Sequence, residues 1–171
     1  MRKLVWAICL VFVFAVGVQA QDKINSQWSC GKATDEHSID VGDHAGHAYV
    51  VTQSKCSAVK GEIGGVQEKE GTGTEFHEVM GNKFSQHGIF IETLASGDKL
   101  NYSYKGTGTS TGGQFVSASS TWTITGGTGK LKGAKGKGSC KGKGNPDGSA
   151  SWECEGTYEV AAAAPAKKKT M

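Results

Sequence analysis

His37, Asp40, Asp43, His44 and His47 form the densest run of potential metal ligands in the chain. Imidazole nitrogens with carboxylates suit zinc, copper or nickel, and catalytic zinc sites commonly use three protein ligands. The same stretch reads as a hairpin turn over 43–46, where Asp and Gly occur for backbone reasons and His44 and His47 flank the bend. A solvated turn is the expectation, with no metal and no other cofactor; His37, His44 and His47 are the candidate ligands otherwise.

Glu92 offers a second chemistry. With Ser96, Gly97 and Asp98 as a three-residue hairpin loop, Leu94 is expected opposite Leu100, Glu92 opposite Tyr102 and Phe90 opposite Tyr104. One carboxyl then sits on an otherwise apolar, aromatic face. Burial raises a carboxyl pKa, and a shielded acid beside a phenol can orient a ligand or move a proton. Glu92 and Tyr102 are therefore the catalytic candidates, although Glu92 could equally just satisfy the Tyr102 hydroxyl. Phe90, Glu92, Tyr102, Tyr104 and Trp122 form the candidate ligand-binding set. No G-x-S-x-G elbow occurs, so a hydrolase triad is unsupported. Gly126, Gly127 and Gly129 before Lys130 imitate a phosphate loop, but Ile124 stands where its first glycine is required and Leu131 where Ser or Thr must follow the lysine. That run is a tight turn.

The elements that must hold these residues are strands. Over 115–125 the even positions are Val116, Ala118, Ser120, Trp122 and Ile124, while Ser and Thr fill the odd positions from Ser117 onward. Alternation of this kind sets one face inward and a hydroxylated face outward. It recurs over 150–160, where Trp152, Cys154, Tyr158 and Val160 alternate with Ser, Glu and Thr, and around Leu100, Tyr102 and Tyr104. Further strands are expected over 27–34, 37–42, 47–56, 74–80 and 87–94, giving eight or nine in all. No amphipathic helix of three turns can be drawn; a turn of helix over 128–132 is the most the sequence allows. The 26 glycines are read as turns between short strands. Short strands with one apolar face must close on themselves or pack as a sandwich. The expected fold is all-β, an antiparallel closed barrel of about eight strands of the lipocalin-like kind.

Arg2 and Lys3 precede an apolar run of about fifteen residues, and Val18-Gln19-Ala20 fits a small-residue cleavage site. Residues 1–20 read as a secretory signal peptide, 21–160 as the barrel domain, and 161–171 as a disordered Ala/Lys-rich tail. The protein is expected to be secreted or periplasmic, without stable membrane insertion. Cleavage removes Arg2, the lone arginine, and leaves 17 lysines against 16 acids. Without arginine, bidentate recognition of phosphate or guanine is absent, and no nucleic-acid partner is expected. Lys130, Lys132, Lys135, Lys137, Lys141 and Lys143 resemble an anion-binding strip. A hairpin centred near Asp147 would instead set Lys141 opposite Glu153 and Lys135 opposite Glu159, a cross-strand neutralisation. Weak contact with an anionic surface through these lysines and the Lys tail is the residual alternative.

The segment 122–138, WTITGGTGKLKGAKGKG, resembles the strand, Gly-Gly-Thr-Gly turn and Gly-rich return strand of the allene oxide cyclase and dirigent barrels and their uncharacterised bacterial relatives. The resemblance implies an eight-stranded barrel whose interior binds hydrophobic or phenolic small molecules. Dirigent-type sites use an arginine together with acids, and this chain lacks that arginine once the signal is removed. The function expected is binding of a small, largely apolar molecule without transforming it. The alternatives are a cyclase or isomerase acting inside the barrel, and a structural or surface-associated protein with a filled barrel.

Cys30, Cys56, Cys140 and Cys154 remain after cleavage, an even count in an exported chain, and three pairings are possible. The register that pairs Lys141 with Glu153 also sets Cys140 opposite Cys154, on the inward face with Trp152, and leaves Cys30 for Cys56. Closing a loop of about fifteen residues contributes about 3 kcal/mol in the chain-entropy account. Non-reducing peptide mapping is expected to recover Cys140 joined to Cys154; recovery of Cys140 joined to Cys30 or Cys56 would refute the register.

Overall fold

The computed structural model describes residues 21–160; the signal peptide expected over 1–20 and the tail expected over 161–171 lie outside the described residues. Ten strands follow in chain order: β1 (Asp22–Cys30), β2 (Asp35–Asp40), β3 (His47–Lys60), β4 (Glu62–Ile63), β5 (Val66–Met80), β6 (Lys83–Leu94), β7 (Lys99–Thr111), β8 (Gln114–Gly127), β9 (Lys135–Gly144) and β10 (Ala150–Glu159). The helix among them is one 3-10 turn, Gly129–Leu131, inside the stretch where the sequence allowed a turn. In the order β3-β1-β10-β9-β8-β7-β6-β5 neighbouring strands pair antiparallel, and β5 pairs back onto β3. The ring closes as an eight-stranded barrel, and β2 and β4 are added outside it. Among the described residues no helix is long and apolar enough to cross a membrane.

Two departures from the sequence pattern have local causes. Strand β5 begins at Val66, eight residues before the expected start at 74, because a register shift between Glu68 and Glu70 interrupts the period of two. The β6–β7 hairpin also differs from expectation. Glu92 faces Leu100, Phe90 faces Tyr102 and Gly88 faces Tyr104, since the Leu94 N–H donates to the Asp98 carbonyl and the Gly97 N–H to the Leu94 carbonyl. The pairing slips by two residues, which leaves every side chain on its expected face.

The β9–β10 hairpin has the expected register. Cys140 faces Cys154, Lys141 faces Glu153 and Lys135 faces Glu159. Cys140 and Cys154 are bonded with their Cα atoms 4.1 Å apart, and Cys30 and Cys56, opposite each other on β1 and β3, are bonded at 3.9 Å. The ion pairs among the described residues do not include the β9 lysines.

The interior corrects the reading of glycine. Twelve glycines have positive φ and sit mainly in turns, but others lie within strands on the inward face, where they make room for rings. A Cβ on Gly71 would stand 2.1 Å from the Phe90 ring, and one on Gly108 would stand 2.3 Å from Phe84. On Gly138 and Gly156 it would approach Trp122 to 2.3 and 2.5 Å, and on Gly142 it would approach Trp152 to 2.6 Å. The bore of an eight-stranded barrel only just accommodates side chains. Each ring therefore fits because its neighbour carries none.

Gly71→Ala is expected to destabilise the fold by about 1–3 kcal/mol, the usual cost of overpacking. Phe90→Leu in the same chain should recover part of the loss. Gly126→Ala, whose Cβ would meet only the Asn101 amide at 3.7 Å, is the control with little effect. Urea denaturation of the parent, Gly71→Ala, Phe90→Leu, the double variant and Gly126→Ala checks this, and additive losses for Gly71→Ala and Phe90→Leu would contradict it.

Candidate functional site

The bulge that hides the start of β5 swings Glu68 inward, next to the inward row of β6 that carries Glu92 and Leu94. Glu92 is 1% exposed and Glu68 7%. The Tyr102 hydroxyl donates to Glu92 Oε2 at 2.6 Å, and the Ser26 hydroxyl of β1 donates to Glu68 Oε1 at 2.6 Å. The other two carboxyl oxygens, Glu92 Oε1 and Glu68 Oε2, are buried with no other partner, and the two carboxyls lie within interaction range of each other. Two carboxylates in one dry site cannot both ionise at low cost. Burial first, and the Glu68 charge second, push the Glu92 pKa up to about 8. Burial pushes Glu68 up to about 7, against the Ser26 hydrogen bond. The pair accordingly holds at least one proton at neutral pH. Tyr102, raised well above an ordinary phenol by burial and by Glu92, stays a donor throughout.

Rings wall this network. Tyr102 meets Trp122 edge-on at 5.4 Å and Phe90 at 6.3 Å, and Trp28 packs edge-on against Phe90 at 5.1 Å. Phe90, Glu92, Tyr102 and Trp122 are thus brought together. Tyr104 packs against the same core cluster, but its hydroxyl donates to Glu75 Oε2 at 3.0 Å and His77 Nε2 lies 3.5 Å from the same oxygen. Ser26, Glu68, Glu75 and His77 were absent from the sequence-derived set. Only the inward alternation of β1 pointed to Ser26, and the bulge removed the corresponding signal from Glu68.

The metal candidates separate. Asp43, His44 and His47 converge at the turn between β2 and β3, while His37 stands on β2 opposite Val51, outside the cluster. Two concavities lie away from the Glu92 network. An open cleft of about 940 Å³ beside the β5–β6 hairpin is lined by His47, Met80, Lys83, Phe84, Ala118 and Lys141 among others. A smaller one of about 340 Å³ lies where β1, β4 and β10 meet, around Ile63, Leu131 and Tyr158.

Solved structures share this architecture. A protein of unknown function from the DUF3224 family of Shewanella oneidensis matches with a TM-score of 0.51 at 13% identity, over 84% of this chain and 100% of that one. The pterocarpan synthase dirigent proteins PsPTS1 and GePTS1 match at TM-scores of 0.49 and 0.46, with 12% and 13% identity over 84% of this chain and 97% and 94% of theirs. At such identities the likeness is one of fold. It meets the expectation of a barrel with uncharacterised bacterial relatives. No family model and no curated protein matches the sequence.

The acid pair predicts a pH dependence. Both folded-state values lie above the ordinary 4.5, so between about 4.5 and 8 the folded chain binds more protons than the unfolded one. The pair's contribution to stability is therefore fullest below about 4.5 and is lost as pH rises towards 8. Urea midpoints at pH 5 and pH 8.5 should show Glu92→Gln losing less stability over this interval than the parent, by at least about 1 kcal/mol, less than the worth of one pKa unit. Equal losses would mean that Glu92 is ionised in the fold.

Proposed function

We propose that the protein is an exported, non-catalytic barrel that binds a small, largely apolar molecule carrying a negative group, and that it does so at the open end of the barrel, in the cleft lined by Phe84 and Ala118, rather than in the closed layer around Glu92. The observation that carries this reading is the contrast between the two places. The ring cluster around Glu92 is packed against its own glycines and closed by its own hydrogen bonds. The cleft of about 940 Å³ stands open, with Met80, Phe84 and Ala118 supplying apolar surface and Lys83 and Lys141 supplying cations at its margins. Ligand sites of this size are mostly apolar with a few placed polar groups. The two disulfides support an oxidising compartment.

A cyclase or isomerase remains the second reading, favoured by one feature: Glu92 is a protonated acid beside a phenol in a dry aromatic layer. It requires substrate to displace Phe90 or Trp122.

Anilinonaphthalene sulfonate, an apolar ring system with one anionic group, separates the two. Saturable one-to-one binding that weakens about fivefold or more in the Lys83→Glu, Lys141→Glu double variant, and is unchanged in Glu92→Gln, is expected from the cleft. Binding lost in Phe90→Leu but kept in the lysine variant would move the site into the Glu92 layer, and absence of saturable binding would remove the cleft.

A further inference from the structure

We propose that Asp43, His44 and His47 bind one divalent d-block cation, zinc or copper, at the turn between β2 and β3 on the outside of the barrel. Their donor atoms all lie within 4.8 Å of one another. The Asp43 carboxylate sits between the two imidazoles, Oδ1 at 2.5 Å from His47 Nδ1 and Oδ2 at 3.0 Å from His44 Nδ1. Bonds of about 2.0–2.1 Å in a tetrahedral site put neighbouring donors about 3.3 Å apart. A cation is therefore admitted when the His47 contact opens by about 0.8 Å and the His44 contact by about 0.3 Å. Two imidazoles with one carboxylate select zinc, copper or a neighbouring metal over calcium and magnesium, which prefer all-oxygen shells.

The second nitrogen of His47 supplies independent support. The side chain is 9% exposed, its Nε2 is buried without a hydrogen-bond partner, and Glu78 Oε1 stands 3.6 Å away. A metal-bound imidazole almost always turns its other N–H to a carboxylate, which fixes the tautomer that leaves the ligating nitrogen free. Glu78 is positioned for that task. In an ordinary turn, a ring buried this deeply would leave that nitrogen unsatisfied at a cost.

The backbone holds the ligands in place before any cation arrives. The Val41 N–H donates to the His47 carbonyl at 3.0 Å, the His47 N–H to the His44 carbonyl at 3.2 Å, and the Gly81 N–H to the Gly46 carbonyl at 3.0 Å. Gly46 has φ +76 and would place a Cβ 3.3 Å from Gly81 Cα, so the turn is fastened to the β5–β6 hairpin at a point that favours glycine. His47 also packs edge-on against Tyr49 at 5.4 Å. Three protein ligands leave a fourth position for water or an external donor.

Calorimetric titration of the purified protein with zinc chloride and copper chloride tests the site, with copper EPR as a second readout. Expected are a one-to-one isotherm with Kd below about 10 μM and nitrogen hyperfine coupling in the copper spectrum. Asp43→Asn and His44→Ala should each weaken binding about tenfold or more, and His44→Ala, whose side chain is 68% exposed, should leave the thermal unfolding of the metal-free protein unchanged. His37→Ala should bind as the parent does. Absence of saturable heat up to about 100 μM of either cation overturns the proposal. So does an isotherm that Asp43→Asn and His44→Ala leave intact, or one that His37→Ala removes.

Discussion

The narrow bore of an eight-stranded barrel is the constraint on which the rest of this structure depends. Side chains from eight strands point at one axis, and a large ring on one strand is tolerated only where its neighbours present little. Here that condition is met by leaving the neighbour without a side chain. Trp122 lies over Gly138 of β9 and Gly156 of β10, Phe90 over Gly71 of β5, and Trp152 over Gly142 of β9. Such glycines weaken their strands, since they add chain entropy and contribute no packing of their own. The closed ring of hydrogen-bonded pairs and the rings themselves offset that weakness.

The same packing determines the state of the acids. Rings that exclude water from the Glu92 layer remove the solvent that would stabilise a carboxylate, so both carboxyls are harder to ionise, and they accept hydrogen bonds from Ser26 and Tyr102. The acid pair acts as a polar clamp between β1, β5, β6 and β7. Its chemistry becomes available only if the layer opens. Donors that meet solvent without such a rearrangement lie instead at the turn between β2 and β3 and along the open cleft.

Most of the barrel was legible because alternation is a local signal. The inward set Ala118, Ser120, Trp122 and Ile124 could be read directly, and the even spacing of Cys140 and Lys141 about Asp147 matched that of Cys154 and Glu153, which yielded a correct register. The Glu92 to Tyr102 contact survived a mistaken hairpin register because a slip of two residues conserves faces; the Tyr102 side chain reaches Glu92 diagonally instead of directly across. Glu68 was not legible. A bulge shifts the period by one residue, and Gln67, Glu68, Lys69 and Glu70 together look like a solvated run. The convergence of Asp43 with both His44 and His47 depends on turn geometry, which spacing alone does not specify, and the burial of His47 depends on the strand beyond it.

Strand β9 explains why the barrel is stapled where it is. Its inward positions are Gly136, Gly138, Cys140, Gly142 and Gly144, and its outward positions are mainly lysines. Apart from Cys140, β9 sends no side chain into the core. The strand must be thin on that face because Trp122 and Trp152 occupy the space, so it is unable to hold itself to the sheet by apolar burial. Backbone pairing to β8 and β10 remains, and the bond from Cys140 to Cys154 ties its middle to β10, whose inward face carries Trp152 and Tyr158. The disulfide thus replaces the side-chain packing that the tryptophans displaced. This bond and the one between Cys30 and Cys56 are compatible with an oxidising compartment.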